Sequence, residues 1–482
     1  MMKKIRAGGW RVRAAALAAA ALIAVCAAPA SAVLPPKFGG ELVAAIPDGI
    51  SKYDPALFIY DHEFLAADLI YDTLLAPGPS GAPTPVLLDS MPVVSDDGMT
   101  FYFKLRPGVL FHNGAQLNSA DVLHTFKSLI SNRRSPYGRL LDGVAGAAEF
   151  RSGKQRGISG FKITDPLRFE VRLTERQPNF LRYLCFPALS IVSAANRDFS
   201  PPIGTGPFAL VETTSRGDAT LAANPKYFEG RPYLDKITLR VVKDDRDRLT
   251  EFKRGALDVS DVPAHGLSRA EREMYPPPLE SEMKNIYFLD VNPDYPALAE
   301  RAARSAASAA IDRQSIVRVI LGGAGAEENN TGPAKHGSSA PRDAAIPLPL
   351  WYPDTSSALK LVAEKIQLNL GQAGFKATLR ERGLADISQY ATDDAPAFIL
   401  RWMPVIMGLS ESVEAALYGP AGTLTRSTAI AGRLGADAKG QGTVIMLFSR
   451  KPAYLRQSSV YGAEAGPFGA PRIDSAYIRE TD

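Results

Sequence analysis

Hydrophobic positions along the chain switch repeatedly between strand spacing and helix spacing. A period of two predicts a strand over 38–46 and a hairpin in FKITDPLRFEVRL, residues 161–173. A period near 3.6 predicts helices over 63–75 and 359–370. Because both periods recur from one end of the chain to the other, the pattern predicts an α/β fold.

Turn and cap signals separate these elements. Asp97-Gly98 predicts a hairpin turn, and Asn118 followed by Asp121 is typical of a capped helix start. The run 285–292 is apolar on both faces, which predicts a central strand. High helix propensity over 297–321 predicts a helix that breaks near 311–313, and 325–354 is the longest loop-like stretch.

The first 32 residues are typical of a targeting segment. A basic stub, an apolar run shorter than a membrane span and the motif Ala30-Ser31-Ala32 predict a secretory signal peptide over 1–32, cleaved after Ala32. An uncleaved anchor is one alternative. Lipidation at Cys26 is another, although Val25 stands where lipidation needs a small residue. We therefore expect an exported, periplasmic protein.

Removing this segment changes the charge balance. The whole chain has 55 Lys and Arg against 51 Asp and Glu, and the segment contains five basic residues and no acidic one. The remainder therefore has 50 basic and 51 acidic residues, or a formal charge of −1. This balance gives no support for nucleic acid or an anionic membrane as a partner.

Chain length and cysteine content bound the architecture. About 450 residues remain after cleavage, which exceeds one ordinary core and predicts two or three lobes. Only Cys185 remains after cleavage, so no internal disulfide can form. Its apolar neighbours indicate a buried, inert thiol rather than a nucleophile.

The motif content favours no reaction. The five histidines form no HExxH motif, and neither a GxSxG elbow nor a GxxxxGK[ST] loop occurs. We therefore predict no metal site, no cofactor and no enzymatic activity. His112 lies between a hairpin strand and Asn113-Gly114, where a surface or hydrogen-bonding role in the turn is favoured over catalysis. The acidic pair Asp244-Asp245 is explained by capping of a helix start.

Several longer segments carry a resemblance to a known family. They include Tyr53-Asp54-Pro55-Ala56, the run from Asp96 to Val122, IGTGPFALVE (203–212) and NPKYFEGRPYLDKI (224–237). In this order they resemble the extracytoplasmic solute-binding proteins of ABC importers, specifically the peptide/nickel family, family 5. The resemblance implies a two-lobed periplasmic-binding-protein fold with an extra subdomain inserted in lobe I.

The resemblance also implies domain bounds. We expect two lobes joined by two crossovers, which close like a hinge on a ligand and present it to a membrane permease. The chain would run through the signal peptide at 1–32, a first segment of lobe I at 33–62, the inserted subdomain at 63–184, a second segment of lobe I at 185–275, lobe II at 276–441 and the lobe I return at 442–482.

Candidate ligand residues follow from the same resemblance. Peptide-binding relatives carry an acidic run after a tryptophan that matches Trp402, but Met403, Pro404, Val405 and Ile406 follow it here. We therefore expect no recognition of a free peptide amine through this motif. We expect Trp402 as a stacking wall, with Met403 giving a more apolar pocket or Arg401 facing an anionic group. Packing of Met403 within lobe II is the alternative.

Three further residues complete the predicted site. Tyr60 and Asp61 lie near the entry to the insert, and Asn292 follows the central strand near a crossover. By contrast, we expect Tyr227, Phe228 and Tyr233 to pack in the core of lobe I rather than to touch the ligand.

The predicted function is that of a monomeric periplasmic solute-binding component of an ABC importer, capturing a peptide or related small solute for a permease. The first alternative is an orphan binding or interaction protein, such as a chaperone or sensory partner, on the same fold. A hydrolase is a second alternative.

Overall fold

The computed structural model describes residues 36–479, apart from 79, 133, 136, 197, 282, 329–346, 385–386, 388–395 and 406–443, and apart from the side chains of 403–405. Residues 38–482 group into one compact unit. None of the helices in the described part of the chain has the length and apolar character needed to span a bilayer.

A seven-stranded mixed sheet organises the first lobe. The strand Glu41–Ile46 lies at its centre and pairs in parallel with its two neighbours. Its side chains alternate between two buried faces, which is why the strand is nearly continuously apolar. The strands, in order across the sheet, are Leu279–Glu280, Ala453–Arg456, Val259–Asp261, Glu41–Ile46, Lys236–Val241, Ala219–Ala223 and Phe208–Thr213.

A six-stranded mixed sheet organises the second lobe. Its strand Lys284–Val291 pairs antiparallel with a neighbour on each side, which confirms the predicted central strand. The strands, in order across the sheet, are Ala326–Glu327, Val444–Arg450, Lys284–Val291, Phe398–Val405, Leu348–Pro353 and Ala377–Arg382.

A four-stranded antiparallel sheet forms the insert in the first lobe, in the order Val93–Val94, Thr100–Lys104, Arg168–Arg172, Phe161–Asp165. Both predicted hairpins are present, and Gly98 adopts the positive φ of 69° that its turn requires. Three two-stranded ribbons add Leu75–Pro77 with Pro83–Pro85, Val460–Tyr461 with Tyr477–Ile478, and Glu464–Ala465 with Pro471–Arg472.

The helices cover the faces of these sheets. Asn118 accepts from the Ala120 amide and Asp121 from the Asn118 amide, which confirms the predicted cap of its helix. The described α-helices are Asp61–Ile70, Ser119–Ser131, Ala147–Arg151, Phe180–Tyr183, Asp245–Lys253, Arg269–Met274, Arg301–Ala310, Arg313–Ser315 and Ser357–Gln372. Single 3₁₀ turns lie at Pro55–Leu57, Gly138–Leu141, Pro187–Leu189 and Pro296–Leu298, and a π-helical turn lies at Ile316–Ile320.

Two large apolar cores correspond to the two lobes. One joins the first sheet to the insert and includes Leu42, Phe64 and Phe169, and another fills the second lobe around Leu289 and Ile366. Phe228 packs against the first of these cores, as predicted. The insert therefore shares the core of the first lobe and is not a separate folding unit in this arrangement.

A Gly-Thr-Gly segment attaches the insert to the first lobe. A Cβ added to Gly204 would lie 1.9 Å from the Ile70 carbonyl oxygen, so only glycine allows this approach. The His112 amide donates to the Gly204 carbonyl at 2.8 Å. The His112 ring accepts at Nδ1 from the Gly204 amide at 3.4 Å and lies 3.0 Å from the Gly206 carbonyl through Nε2. These contacts require a neutral imidazole with its proton on Nε2, consistent with the pKa that burial lowers. His112 therefore forms hydrogen bonds, as predicted, but it is not a surface residue and its ring partners lie in the Gly-Thr-Gly segment rather than in its own turn.

Three sequence predictions differ from the structure. The helix predicted over 63–75 ends at Ile70, because Leu75 begins a strand that pairs with Pro85. The loop predicted over 325–354 contains the strand Leu348–Pro353, whose leucines are buried in the second core despite its two prolines. Val444–Arg450, expected in the return to lobe I, is a strand of the second sheet. The chain re-enters the first sheet only at Ala453, and the other lobe bounds stay predictions.

Candidate functional site

A cavity lies where the two lobes face each other, beside the two crossovers. Its volume is about 110 Å³. Side chains of both lobes form its wall; those that carry charge, polarity or aromatic area are Tyr60, Asp61, His62, Asp245, Arg248, Asp261, Asn285, Tyr287, Ser356, Trp402, Arg450 and Tyr454. This space is smaller than the roughly 300–1,000 Å³ of typical small-molecule sites. It therefore suits the head of a ligand rather than a whole peptide.

A row of aromatic rings crosses the cavity from one lobe to the other. Trp402 and Tyr287 are directly opposite each other on paired strands, with ring centroids 5.9 Å apart. The Trp402 ring also meets Tyr60, which precedes the helix Asp61–Ile70 of the first lobe, with ring centroids 5.0 Å apart. Phe448 continues the row behind Tyr287, at 4.4 Å. Rings in such offset pairs contribute beyond the area they bury.

Asp61 contacts the second lobe through a side-chain hydrogen bond. Its Oδ2 accepts from Asn285 Nδ2 at 2.8 Å. Burial raises the pKa of Asp61 to about 6, the hydrogen bond from Asn285 opposes this rise, and the negative charge of Asp261 adds to it. Asp61 Oδ1 and Asn285 Oδ1 are both buried and have no hydrogen-bond donor among the described residues.

A buried ion pair lies on the first-lobe side of the cavity. Arg248 donates to Asp261 through Nε and through Nη2, the latter at 2.9 Å to Oδ2, and its Nη1 donates to the Val242 carbonyl at 2.7 Å. Burial, followed by the positive charge of Arg248, lowers the pKa of His62 to about 3. His62 is therefore neutral at physiological pH, and Arg248 and Asp261 largely satisfy each other.

Two groups of polar contacts join the lobes at the edge of the cavity. Asp245, at the start of its helix, accepts from the Ser356 hydroxyl at 2.9 Å and from the Ser357 hydroxyl at 3.3 Å. Lys243 forms an ion pair with Asp354 at 2.9 Å. The first turns of the helices Asp245–Lys253 in the first lobe and Ser357–Gln372 in the second lobe therefore meet at the hydrogen bonds of Asp245.

The structure brings three of the predicted site residues together. Tyr60, Asp61 and Trp402 all line the cavity, and Tyr60 and Trp402 touch each other across it. Their role in ligand binding stays a prediction.

Arg401 and Asn292 do not line the cavity. Neighbouring residues of a strand face opposite sides, so Arg401 lies away from the face of Trp402. It is buried and forms an ion pair with Asp290, with Nε 3.5 Å from Oδ2. Asn292 follows the far end of the strand whose other end holds Asn285, and it accepts from the Asp294 amide in a turn. The Met403 side chain lies outside the described residues.

Asn285, Arg248 and Asp261 also line the cavity and were not among the predicted site residues. Asn285 begins the predicted central strand, and a polar residue at that end was a usable signal. Arg248 and Asp261 are 13 positions apart on a helix and a strand, and no local pattern predicts their pairing.

The described residues include no metal-binding cluster, and their one cysteine is buried. In the parts of the chain that the structure describes, no group of three or more His, Cys, Asp or Glu side chains could hold a metal ion. Cys185 is buried, burial raises the pKa of its thiol to about 12, and its Sγ lies 3.5 Å from the Leu181 carbonyl oxygen. A second pocket, of about 440 Å³, is lined by residues of the first lobe and its insert, including Lys52 and His124. Because no residue of the second lobe lines it, this pocket does not lie between the lobes.

Sequence relatives of this chain match about two thirds of its length. Protein XP55 of Streptomyces lividans is 28% identical over 323 residues, which cover 65% of this chain and 56% of that protein. Di/tripeptide-binding protein 2 of Pseudomonas aeruginosa is 26% identical over 325 residues, covering 62% of this chain and 59% of that protein. The match therefore spans little more than half the length of either relative.

The fold is shared with solved structures. OppA of Listeria monocytogenes, solved bound to peptide, superposes with a TM-score of 0.75 at 16% identity, over 92% of this chain and 99% of that chain. The two-lobed fold with an insert in lobe I, predicted from the sequence, is confirmed. The model of the family "Bacterial extracellular solute-binding proteins, family 5 Middle" matches residues 82–346, more than half of the chain. The chain belongs to the family 5 bacterial extracellular solute-binding proteins.

Proposed function

We propose that this protein is the periplasmic solute-binding component of an ABC importer. It captures a peptide or a related small solute between its two lobes and delivers it to a membrane permease. It performs no chemical reaction on its ligand, and it acts as a monomer after export and cleavage of the signal peptide behind Ala32.

The observation that carries this proposal is the composition of the cavity wall. Both lobes contribute to it, and Tyr60 of the first lobe meets Trp402 of the second in its aromatic row. A ligand held at this point bridges the lobes, so its binding energy favours the closed arrangement over an open one. A carrier must also release its cargo, and stacking with hydrogen bonds allows both steps.

The relatives support the choice of ligand class. One is named a di/tripeptide-binding protein, and a protein with the same fold was solved bound to peptide. We extend this class to the present chain as a proposal. No described contact or comparison favours the alternative of an orphan interaction protein.

The test combines ligand identification with a shape measurement. Mature protein is purified and analysed by native mass spectrometry for a carried ligand, then unfolded, refolded without ligand and titrated with a peptide pool. We expect one ligand per chain, a higher melting temperature and a smaller radius of gyration in X-ray scattering. Trp402→Ala is expected to weaken all three responses, and Trp402→Phe to retain most of them. Absence of both a thermal shift and a compaction with wild-type protein would contradict the proposal.

A further inference from the structure

Asp245 is a buried carboxylate whose hydrogen-bond donors come from both lobes. It is only 1% exposed, and its Oδ2 accepts from the Ala264 amide at 3.0 Å and from the Ser356 hydroxyl at 2.9 Å. Its Oδ1 accepts from the Ser357 hydroxyl at 3.3 Å. Ala264 follows the first-lobe strand Val259–Asp261, whereas the two serines begin a helix of the second lobe. Asp245 would therefore lose two of its three donors if the lobes moved apart.

Helix N-termini of both lobes meet at this carboxylate. Asp245 is the first residue of the helix Asp245–Lys253, and Ser356 is the N-cap of the helix Ser357–Gln372. Among the described residues no cation forms an ion pair with Asp245, because the neighbouring Arg248 donates to Asp261 and to backbone carbonyls. The partial positive charge of a helix N-terminus stabilises a nearby negative charge. Closure of the lobes therefore brings a second stabilising N-terminus to a charge that the first lobe already holds.

The Ser356 hydroxyl is oriented for this contact by its own helix. Its Oγ accepts from the Leu359 amide at 3.4 Å, which leaves its one O–H to donate to Asp245. A hydroxyl that donates to a carboxylate forms a stronger hydrogen bond than one between neutral groups. The neighbouring ion pair of Lys243 with Asp354 is different, because its lysine is 55% exposed and exposed pairs contribute little. The contact at Asp245 consists of protein groups alone, so it can form without a ligand.

We propose that Asp245 is a latch residue that favours the closed arrangement of the two lobes before a ligand arrives. It is a positioning residue, since it acts on ligand binding through Ser356 and Ser357. The apparent affinity for a ligand rises with the fraction of the protein that is already in the binding-competent arrangement. This inference deepens the proposed function and rests on it, because it concerns closure around the same cavity.

The test separates closure of the lobes from contact with a ligand. X-ray scattering gives the radius of gyration of refolded mature protein, first without ligand and then with a saturating synthetic peptide. The peptide is one that wild-type protein retains from a pool, identified by mass spectrometry. Calorimetry measures its affinity.

Two variants remove opposite sides of the contact. Asp245→Asn removes the charge from the first lobe, and Ser356→Gly combined with Ser357→Ala removes both hydroxyls from the second lobe. Glycine is well tolerated at an N-cap, so the second-lobe helix should still begin at its usual residue. Ser268→Gly is the matched control, because Ser268 caps the helix Arg269–Met274 and its described hydrogen bonds stay within that helix.

Without peptide, both test variants should have a larger radius of gyration than wild type. With saturating peptide, all proteins should reach the same radius. The affinity of each test variant should fall about 10-fold, the effect of losing a hydrogen bond to a charged group. Combining the changes of both lobes should weaken binding little further, since each already removes the same contact. Ser268→Gly should leave the radius and the affinity unchanged.

A ligand-free radius that is the same in wild type and in both test variants would refute the latch and leave the proposed function intact. A loss of affinity with that unchanged radius would refute it as well, because Asp245 would then act by touching the ligand. If wild type retains no peptide, the proposed function is refuted, and the ligand-free radii alone decide whether the latch exists. If Asp245→Asn fails to fold, the serine variant still decides, because it leaves the carboxylate and its bond to Ala264 in place.

Discussion

Replacing Asp61 by asparagine is expected to stabilise the ligand-free protein at neutral pH. Burial raises the pKa of Asp61 to about 6, whereas an aspartate in an unfolded chain titrates near about 3.9. Because the folded pKa is the higher one, the folded state holds its proton more tightly, and stability falls as pH rises through this window. Above pH 6 the carboxylate is charged in both states, and the folded state bears the cost of burying that charge.

The magnitude follows from the two pKa values. A difference of about 2 pH units at about 1.36 kcal/mol each gives a cost of about 3 kcal/mol at pH 8. At pH 4.5 the Asp61 carboxyl is mostly neutral in the folded state. The same linkage then gives a destabilisation of about 1 kcal/mol. Asparagine resembles the neutral acid in shape and never ionises. The free energy of unfolding of the Asp61→Asn variant should therefore exceed that of wild type by these amounts.

Urea unfolding of wild type and variant between pH 4.5 and pH 8 measures this difference. Other buried acids with raised pKa values, such as Glu63 and Asp72, contribute equally to both proteins and cancel. Asp312→Asn is the opposite control, because the Ser315 hydroxyl and amide donate to Asp312 and lower its pKa. That variant should lose stability at neutral pH. A variant at Asp61 that is no more stable than wild type at pH 8, or whose advantage does not shrink towards pH 4.5, would refute the reasoning.

Three further predictions concern the site and the fold. Trp402→Ala should weaken ligand binding by about tenfold or more, because it removes the central ring of the aromatic row. Isothermal titration calorimetry measures the affinity, and a loss of less than tenfold would contradict the prediction. Gly204→Ala should destabilise the protein by more than about 2 kcal/mol in urea unfolding, because the new Cβ would lie 1.9 Å from the Ile70 carbonyl oxygen. Gly157→Ala, where a Cβ would meet nothing within 4 Å, is the control and should be neutral. Cys185 should resist thiol reagents in the native protein and react after unfolding, because its thiol is buried; rapid labelling of native protein would contradict this.

Local signals in the sequence were sufficient for much of the fold. The turn at Asp97-Gly98 and the cap at Asn118 depend on backbone conformations and hydrogen bonds that neighbouring residues determine. The central strand over Lys284–Val291 was equally predictable, because a strand covered on both faces must be apolar on both. The strand Leu348–Pro353 was not predictable, since its prolines favour a loop and only burial against the second core overrides them.

The site was less predictable because it depends on which end of an element faces the other lobe. Asn285 and Asn292 follow the same pattern at opposite ends of one strand, and only the position of the crossover decides that Asn285 lines the cavity. Trp402 and Arg401 are adjacent, and the pleat allows only one of them to face it. The tertiary arrangement, rather than residue type, makes these choices.

The paired crossovers have a mechanical consequence. The segments Leu279–Glu280 and Ala453–Arg456 run antiparallel in the first sheet, the Ser281 amide donates to the Pro452 carbonyl at 2.9 Å, and Asn285 is paired with Arg450 in the second sheet. The lobes are thus linked by one hydrogen-bonded ribbon rather than by two independent tethers. Such a ribbon flexes easily out of its plane and resists shear within it, because in-plane bending would stretch its hydrogen bonds. This geometry favours rotation of the lobes about the ribbon, and under the proposed function it directs the ligand to the side opposite the ribbon.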